Sequence, residues 1–238
     1  MTGSHSILLA IETSQGTAGV AVRDRGGLAH VELLSSSLRY DDDLVGAIER
    51  LYVRLDLEPR ATEAVGVSIG PGGFTGLRIA VTTAKMLAET LGARVIAVES
   101  ALVAAESCQG PGPLLVALAA KRQTVWATRL ERREGVWVVA GAGGITDRLD
   151  TTGITMVLAD EYLPRSMRQE CLRAGVPVKE PEFAPRACLA VAARLLAGGR
   201  VADPLQLQPL YPRPPEAVTA WERRLADMAP QEPRRCDT

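Results

Sequence analysis

Histidine and cysteine are scarce in this chain. The two histidines, His5 and His30, lie 25 positions apart, so no HxxxH pair exists to hold a metal. The four cysteines, Cys108, Cys171, Cys188 and Cys236, form no CxxC pair. Neither set has zinc-ligand spacing, so no metal and no cofactor is expected, and the thiols read as those of a reduced, cytoplasmic protein. A charge excess is also missing. Lys and Arg number 27 and Asp and Glu 28, for a net charge of -1. A chain that gripped RNA alone should carry a basic field. No apolar run approaches the ~20 residues of a membrane span. The run Ile7–Ile11 ends at Glu12, which is too short for a signal-peptide core. Neither GxxxxGK[ST] nor GxGxxG occurs.

What is present is an ordinary globular balance, 47% hydrophobic and 23% charged over 238 residues. That suffices for one large domain or two small ones. The first hundred residues read as three strands (Ile7–Ile11, Thr17–Arg23, Leu28–Leu34), a helix carrying Leu44, Ile48, Leu51 and Leu55, a strand Ala64–Ile69, a helix Thr75–Leu91 and a strand Arg94–Val98. Cys108–Pro113 reads as a linker. Beyond it the three-strand opening recurs as Leu114–Leu118, Thr124–Leu130 and Val136–Ala140. A strand Ile154–Ala159 and a helix Ala184–Leu196 follow. This predicts an α/β protein of the actin-like (ASKHA, ribonuclease H-like) class, two lobes each opening with a three-strand meander. The expected division is 1–107 for the first lobe, 108–215 for the second, and 216–238 for a last helix, Glu216–Met228, and a tail.

The most unusual segment is Gly70-Pro71-Gly72-Gly73-Phe74-Thr75-Gly76-Leu77-Arg78. Its glycines follow a strand and open a helix. Backbone amides there could cradle an anion; on spacing alone, a tight strand-to-helix turn is the more economical reading. Gly66-Val67-Ser68-Ile69-Gly70 matches the GxSxG nucleophile elbow. However, Ser68 sits inside the apolar run rather than at the turn, and no histidine follows it. Glu12, at the end of the first strand, occupies a position that can order a metal-bound nucleotide in actin-like kinases. A hydrogen-bonded turn is the simpler role.

Several segments together resemble one family. ILLAIETS at Ile7–Ser14 looks like its opening strand. GPGGFTGLRIAVTTAKMLA, Gly70–Ala88, resembles its most distinctive motif, and YDDDLVGAI at Tyr40–Ile48 a helix-opening one. LAAKRQTVWA at Leu118–Ala127 and LQPLYPRPPEA at Leu207–Ala217 resemble two later ones. On these residues the chain is identified as a member of the TsaB (YeaZ) family of tRNA threonylcarbamoyladenosine biosynthesis. The resemblance implies a cytoplasmic, non-catalytic subunit that binds and activates the related catalytic subunit TsaD beside the ATPase TsaE. It implies contact with tRNA only through the complex and no membrane; a homodimer with no partner is a third reading. Three departures stand out: Tyr40 replaces a frequent His, Ala119 a usual Asp and Gln123 a usual Gly. The alternative is a stand-alone peptidase-like hydrolase or small-molecule kinase of the actin-like class.

Helical periodicity locates the expected partner surface. Leu77, Ala80, Val81, Ala84, Leu87, Ala88 and Leu91 form an apolar arc toward the sheet. Ile79, Thr83, Met86 and Thr90 form a second, modest face. On the preceding helix Gly46, Val53 and Leu57 fall opposite the core-facing leucines. These seven residues are the expected docking face, and Met suits a surface that adapts to its partner; the alternative is that the two faces pack on each other or on the C-terminal helix.

Overall fold

The structure is a computed structural model that describes residues 5–35, 40–120, 123–212, 221 and 224. A five-stranded sheet runs in the order β3-β2-β1-β4-β5. Its strands are β1 (Leu8–Glu12), β2 (Gly19–Arg23), β3 (Ala29–Leu33), β4 (Ala64–Gly70) and β5 (Arg94–Glu99). The first three form an antiparallel meander, and β4 and β5 add in parallel on the other flank of β1. The second sheet repeats this plan in the order β11-β10-β6-β7-β8. Here the meander is β6 (Leu114–Ala120), β7 (Thr124–Arg133) and β8 (Val136–Val139). The parallel additions are β10 (Met156–Ala159) and β11 (Val178–Lys179). A short β9 (Gly144–Thr146) pairs with the other end of β7. The recurrence read from the sequence is therefore a recurrence of topology, and the fold is the actin-like one.

All five residues of β1 are buried, because helices cover both faces of the first sheet. Ile7, Leu9 and Ile11 face α1 (Tyr40–Arg54) and α2 (Phe74–Leu91), whose Leu44, Leu51, Ala80 and Ala84 complete that core. Leu8 and Ala10 face the opposite way, toward α3 (Ser100–Glu106) and α5 (Pro185–Ala197). The same cluster continues into Leu114, Val116, Leu118 and Leu158 of the second sheet, so one apolar core joins the two sheets. Arg194 of α5 holds Glu106 of α3 by two bonds of 2.8 and 2.6 Å. The remaining helix, α4 (Arg165–Arg173), buries Met167 and Cys171 against the second sheet.

The sequence reading lacked α3, α4, β9 and β11. It placed α5 correctly along the chain and assigned it to the second segment, yet α5 packs on the first sheet, where Gly66 lies directly under Ala192. The expected last helix, 216–228, lies outside the described residues apart from Trp221 and Arg224, and so does the tail. Lys121 and Arg122 of the fourth resembling segment also lie outside them.

Candidate functional site

The loop Gly70–Gly73 ends β4 and starts α2. Gly70 has φ 110° and Leu210 O beside its missing Cβ, so a side chain is excluded there on both counts. A Cβ on Gly72 would collide with the backbone of Ser14. The close approach lets Gly73 N donate to Ser14 O at 2.7 Å, while Thr13 Oγ1 donates to Gly76 O at 2.8 Å. The motif thus pins α2 to the turn between β1 and β2. Leu210 N donates to Ile69 O at 2.6 Å. This brings Tyr211 against Phe74, with ring centroids 5.2 Å apart, and the Arg78 guanidinium lies 5.1 Å from the Phe74 ring centre.

Glu12 is fully buried beneath this turn. Its Oε1 accepts from Ser14 N at 2.7 Å and from Ser14 Oγ at 2.5 Å, while Oε2 has no partner. Burial raises its pKa, the Ser14 hydrogen bonds and the neighbouring Ser68 hydroxyl opposing this only in part. Burial likewise pushes the Cys188 thiol well up, and the nearby Glu12 adds to it. Because folding raises the Glu12 pKa, the folded state holds its proton more tightly than the unfolded chain. Stability is then full below the ordinary value of 4.5 and declines as pH rises through the raised folded value. Glu12→Gln should remove this decline. Urea titrations from acid to neutral pH check it, with the variant gaining on the native chain as pH rises.

A cleft of about 230 Å³ lies between the sheets, lined in part by Gln15, Gly72, Gly73, Ala119, Asp160 and Tyr162. None of its described lining residues is basic. Asp160 spends one carboxylate oxygen on Ala119 N at 3.1 Å and the other on Tyr162 N at 3.0 Å. The turn above is similarly engaged, since Ser14 N serves Glu12 and Gly73 N serves Ser14. The amides of Ser14 and Gly73 are therefore already committed within the turn. Ser68 is fully buried in β4 and shares a hydrogen bond of 2.9 Å with Ser100. His30 pairs instead with Asp24, at 2.8 Å. The GxSxG match therefore marks a packed strand with no histidine at its serine.

The expected docking residues divide. Met86 is 63% and Val53 75% exposed, and Thr90 is exposed with its hydroxyl turned back to Met86 O at 2.7 Å. Gly46 and Thr83 are half-buried. Ile79 and Leu57 pack partly against the first-lobe core. Leu57 departs from the helical projection because α1 stops at Arg54. Asp56 then takes a left-handed φ of 50°, and Leu57 N returns to Tyr52 O at 3.0 Å. The sequence reading also missed Val45, 65% exposed and two i+4 steps before Val53. That spacing was the available signal. Val45, Glu49 and Val53 form one exposed stripe on α1, and Arg78, Thr82 and Met86 another on α2. The two helices contact one another.

The comparisons with known proteins agree with this architecture. Residues 35–142 match the family model described as TsaD, tRNA N6-adenosine threonylcarbamoyltransferase. The chain is 32% identical over 93 residues to the tRNA threonylcarbamoyladenosine biosynthesis protein TsaB of Bacillus subtilis, covering 39% of this chain and 41% of that one. A solved structure of YeaZ from Pseudomonas aeruginosa superposes with a TM-score of 0.71 at 22% identity, over 87% of this chain and 100% of that one. The chain is thus similar to proteins of the TsaB (YeaZ) family. An uncharacterized protein of Mycobacterium leprae is 30% identical over 222 residues, 89% of this chain and 56% of its own length. The chain spans about half the length of the curated relatives it matches, from 41% to 62%. The motif that pins α2 lies within the stretch matched by the TsaD model. Among the described residues, no helix is long and apolar enough to cross a membrane, and no group of His, Cys, Asp and Glu could hold a metal ion.

Proposed function

We propose that this chain is the non-catalytic partner subunit of the complex that adds threonylcarbamoyl to the anticodon-adjacent adenosine of tRNA. It binds and activates TsaD through α1 and α2, works beside the ATPase TsaE, and meets tRNA only within that complex. The observation that carries this reading is the exposure of Val45, Val53 and Met86 on two adjoining helices. Single exposed apolar residues are ordinary; three on adjoining helices supply anchors for helix-on-helix packing. The family resemblance supplies the partner. The engaged β1–β2 turn and the buried Ser68 support the absence of chemistry in this chain itself.

Gel filtration of the purified chain with TsaD from the same organism tests the pairing. A single co-eluting peak is expected, together with no ATP hydrolysis by the chain alone. Separate elution at micromolar concentrations, or turnover by the isolated chain, would refute the reading.

A further inference from the structure

A groove of about 470 Å³, larger than the cleft between the sheets, runs along the outer edge of the second sheet. One wall is α4, presenting Arg165, Arg168 and Leu172 at i, i+3 and i+7; the other is the chain Val176–Val178 entering β11. Leu172 is 80% exposed. The other apolar residues of this helix, Met167 and Cys171, are fully buried.

The strand beside the groove is open. Among the described residues β11 ends the second sheet and pairs only with β10. Val157 of β10 sits opposite Val178 and donates its N–H to Pro177 O at 2.9 Å. In a parallel ladder the groups facing the partner alternate along the strand. Pro177 O and Lys179 N therefore turn inward, and Val178 turns its own N–H and C=O outward, along the groove. An extended chain laid there could take both bonds and set alternate side chains against Leu172 and Val176.

The charges select the occupant. Arg165 and Arg168 line the groove and are exposed. The described partner of Arg168 is a long 3.5 Å contact to the carbonyl of Asp160. Arginine guanidinium groups suit carboxylates, which they can hold by two parallel bonds. An apolar floor and so few cations fit RNA poorly, since phosphate binding depends on many basic contacts.

We propose that the groove between α4 and β11 binds an extended segment of a partner protein by β-augmentation, a segment alternating apolar and acidic residues. The groove is formed by the second lobe, apart from α1 and α2, so the proposal stands or falls separately from TsaD docking.

The test is a random-peptide display library selected against the full chain. Recovered peptides are then synthesised and measured by fluorescence anisotropy. The expected peptides alternate valine-, isoleucine- or leucine-like residues with Asp or Glu. Arg165→Glu combined with Arg168→Glu should weaken them about tenfold or more, because attraction becomes repulsion. Val178→Pro should weaken them similarly by deleting one outward N–H, a substitution that edge strands accept. Leu172→Asp is an independent surface variant that leaves β11 intact and should also weaken binding. Circular dichroism and a retained thermal midpoint would show that each variant is folded. Recovery of no peptides, or of peptides that bind all folded variants unchanged, would overturn the proposal. So would loss of binding to a single-stranded RNA oligonucleotide, rather than to peptides, in the arginine variant.

Discussion

Met86→Asp and Val53→Asp should each abolish measurable association with TsaD while leaving the isolated chain folded. Both side chains are largely exposed, so a carboxylate in their place meets water in the free protein. In a complex it would be buried without a partner. Truncating an anchor residue at an interface typically costs about 2 kcal/mol or more, and an unpaired buried charge adds to that. Calorimetry reads the association and circular dichroism the fold. Val45→Asp should behave like Val53→Asp, since it lies on the same stripe of α1. Ile79→Asp is a contrasting control. Ile79 packs partly into the first-lobe core, so this change should lower stability as well as binding. Unchanged affinity in both Met86→Asp and Val53→Asp would place the docking surface elsewhere.

Gly72→Ala should destabilise the chain although it adds only a methyl group. The added Cβ would strike the Ser14 carbonyl, a backbone atom held by the hydrogen bond from Gly73 N. A backbone neighbour cannot rotate away as a side chain can. Overpacking of this kind costs about 1–3 kcal/mol, which lowers the thermal midpoint of a chain this size by roughly 2–4 °C per kcal/mol. Because the contact pins α2 to the β1–β2 turn, the same variant should also weaken TsaD binding. Gly16→Ala, in the same turn, adds a Cβ to open space and should leave both properties nearly unchanged. Thermal melts of the two variants decide it: equal midpoints would mean that the loop does not bear on Ser14.

The first lobe was legible because its signals were local. β1, β2, β3 and β4 are short apolar or alternating runs bounded by turn residues. α2 carries a clean apolar arc between Gly73 and Gly92, the latter at a left-handed φ of 67°. The missed elements lack such signals for definite reasons. α3 buries every residue from Ser100 to Ala105, so it shows no amphipathic period. α4 buries only Met167 and Cys171, too few to fix a period against its polar background. β11 is two residues long. The packing of α5 on the first sheet is a long-range contact, which a run of alanines and leucines does not announce.

The site was legible in part for the same reason. The GPGGFT segment stands out by composition, and the structure gives each glycine at 70 and 72 a contact that demands it. The docking face was projected as though α1 continued to Leu57, whereas the chain turns back after Arg54. Periodicity also cannot see where two helices adjoin. Ile79 and Thr83 are half-buried, and the exposed row of α2 falls one position earlier, at Arg78, Thr82 and Met86.

In the proposed function this chain enables another subunit's chemistry without performing it. The direct measurement is threonylcarbamoyl transfer to tRNA in a reconstituted mixture of TsaD, TsaE, tRNA and the threonylcarbamoyl adenylate, with and without this chain. Transfer should appear only when the chain is added, should saturate near equal amounts of chain and TsaD, and should be lost with Met86→Asp. Transfer at the same rate in its absence would contradict the account, as would transfer by the chain without TsaD.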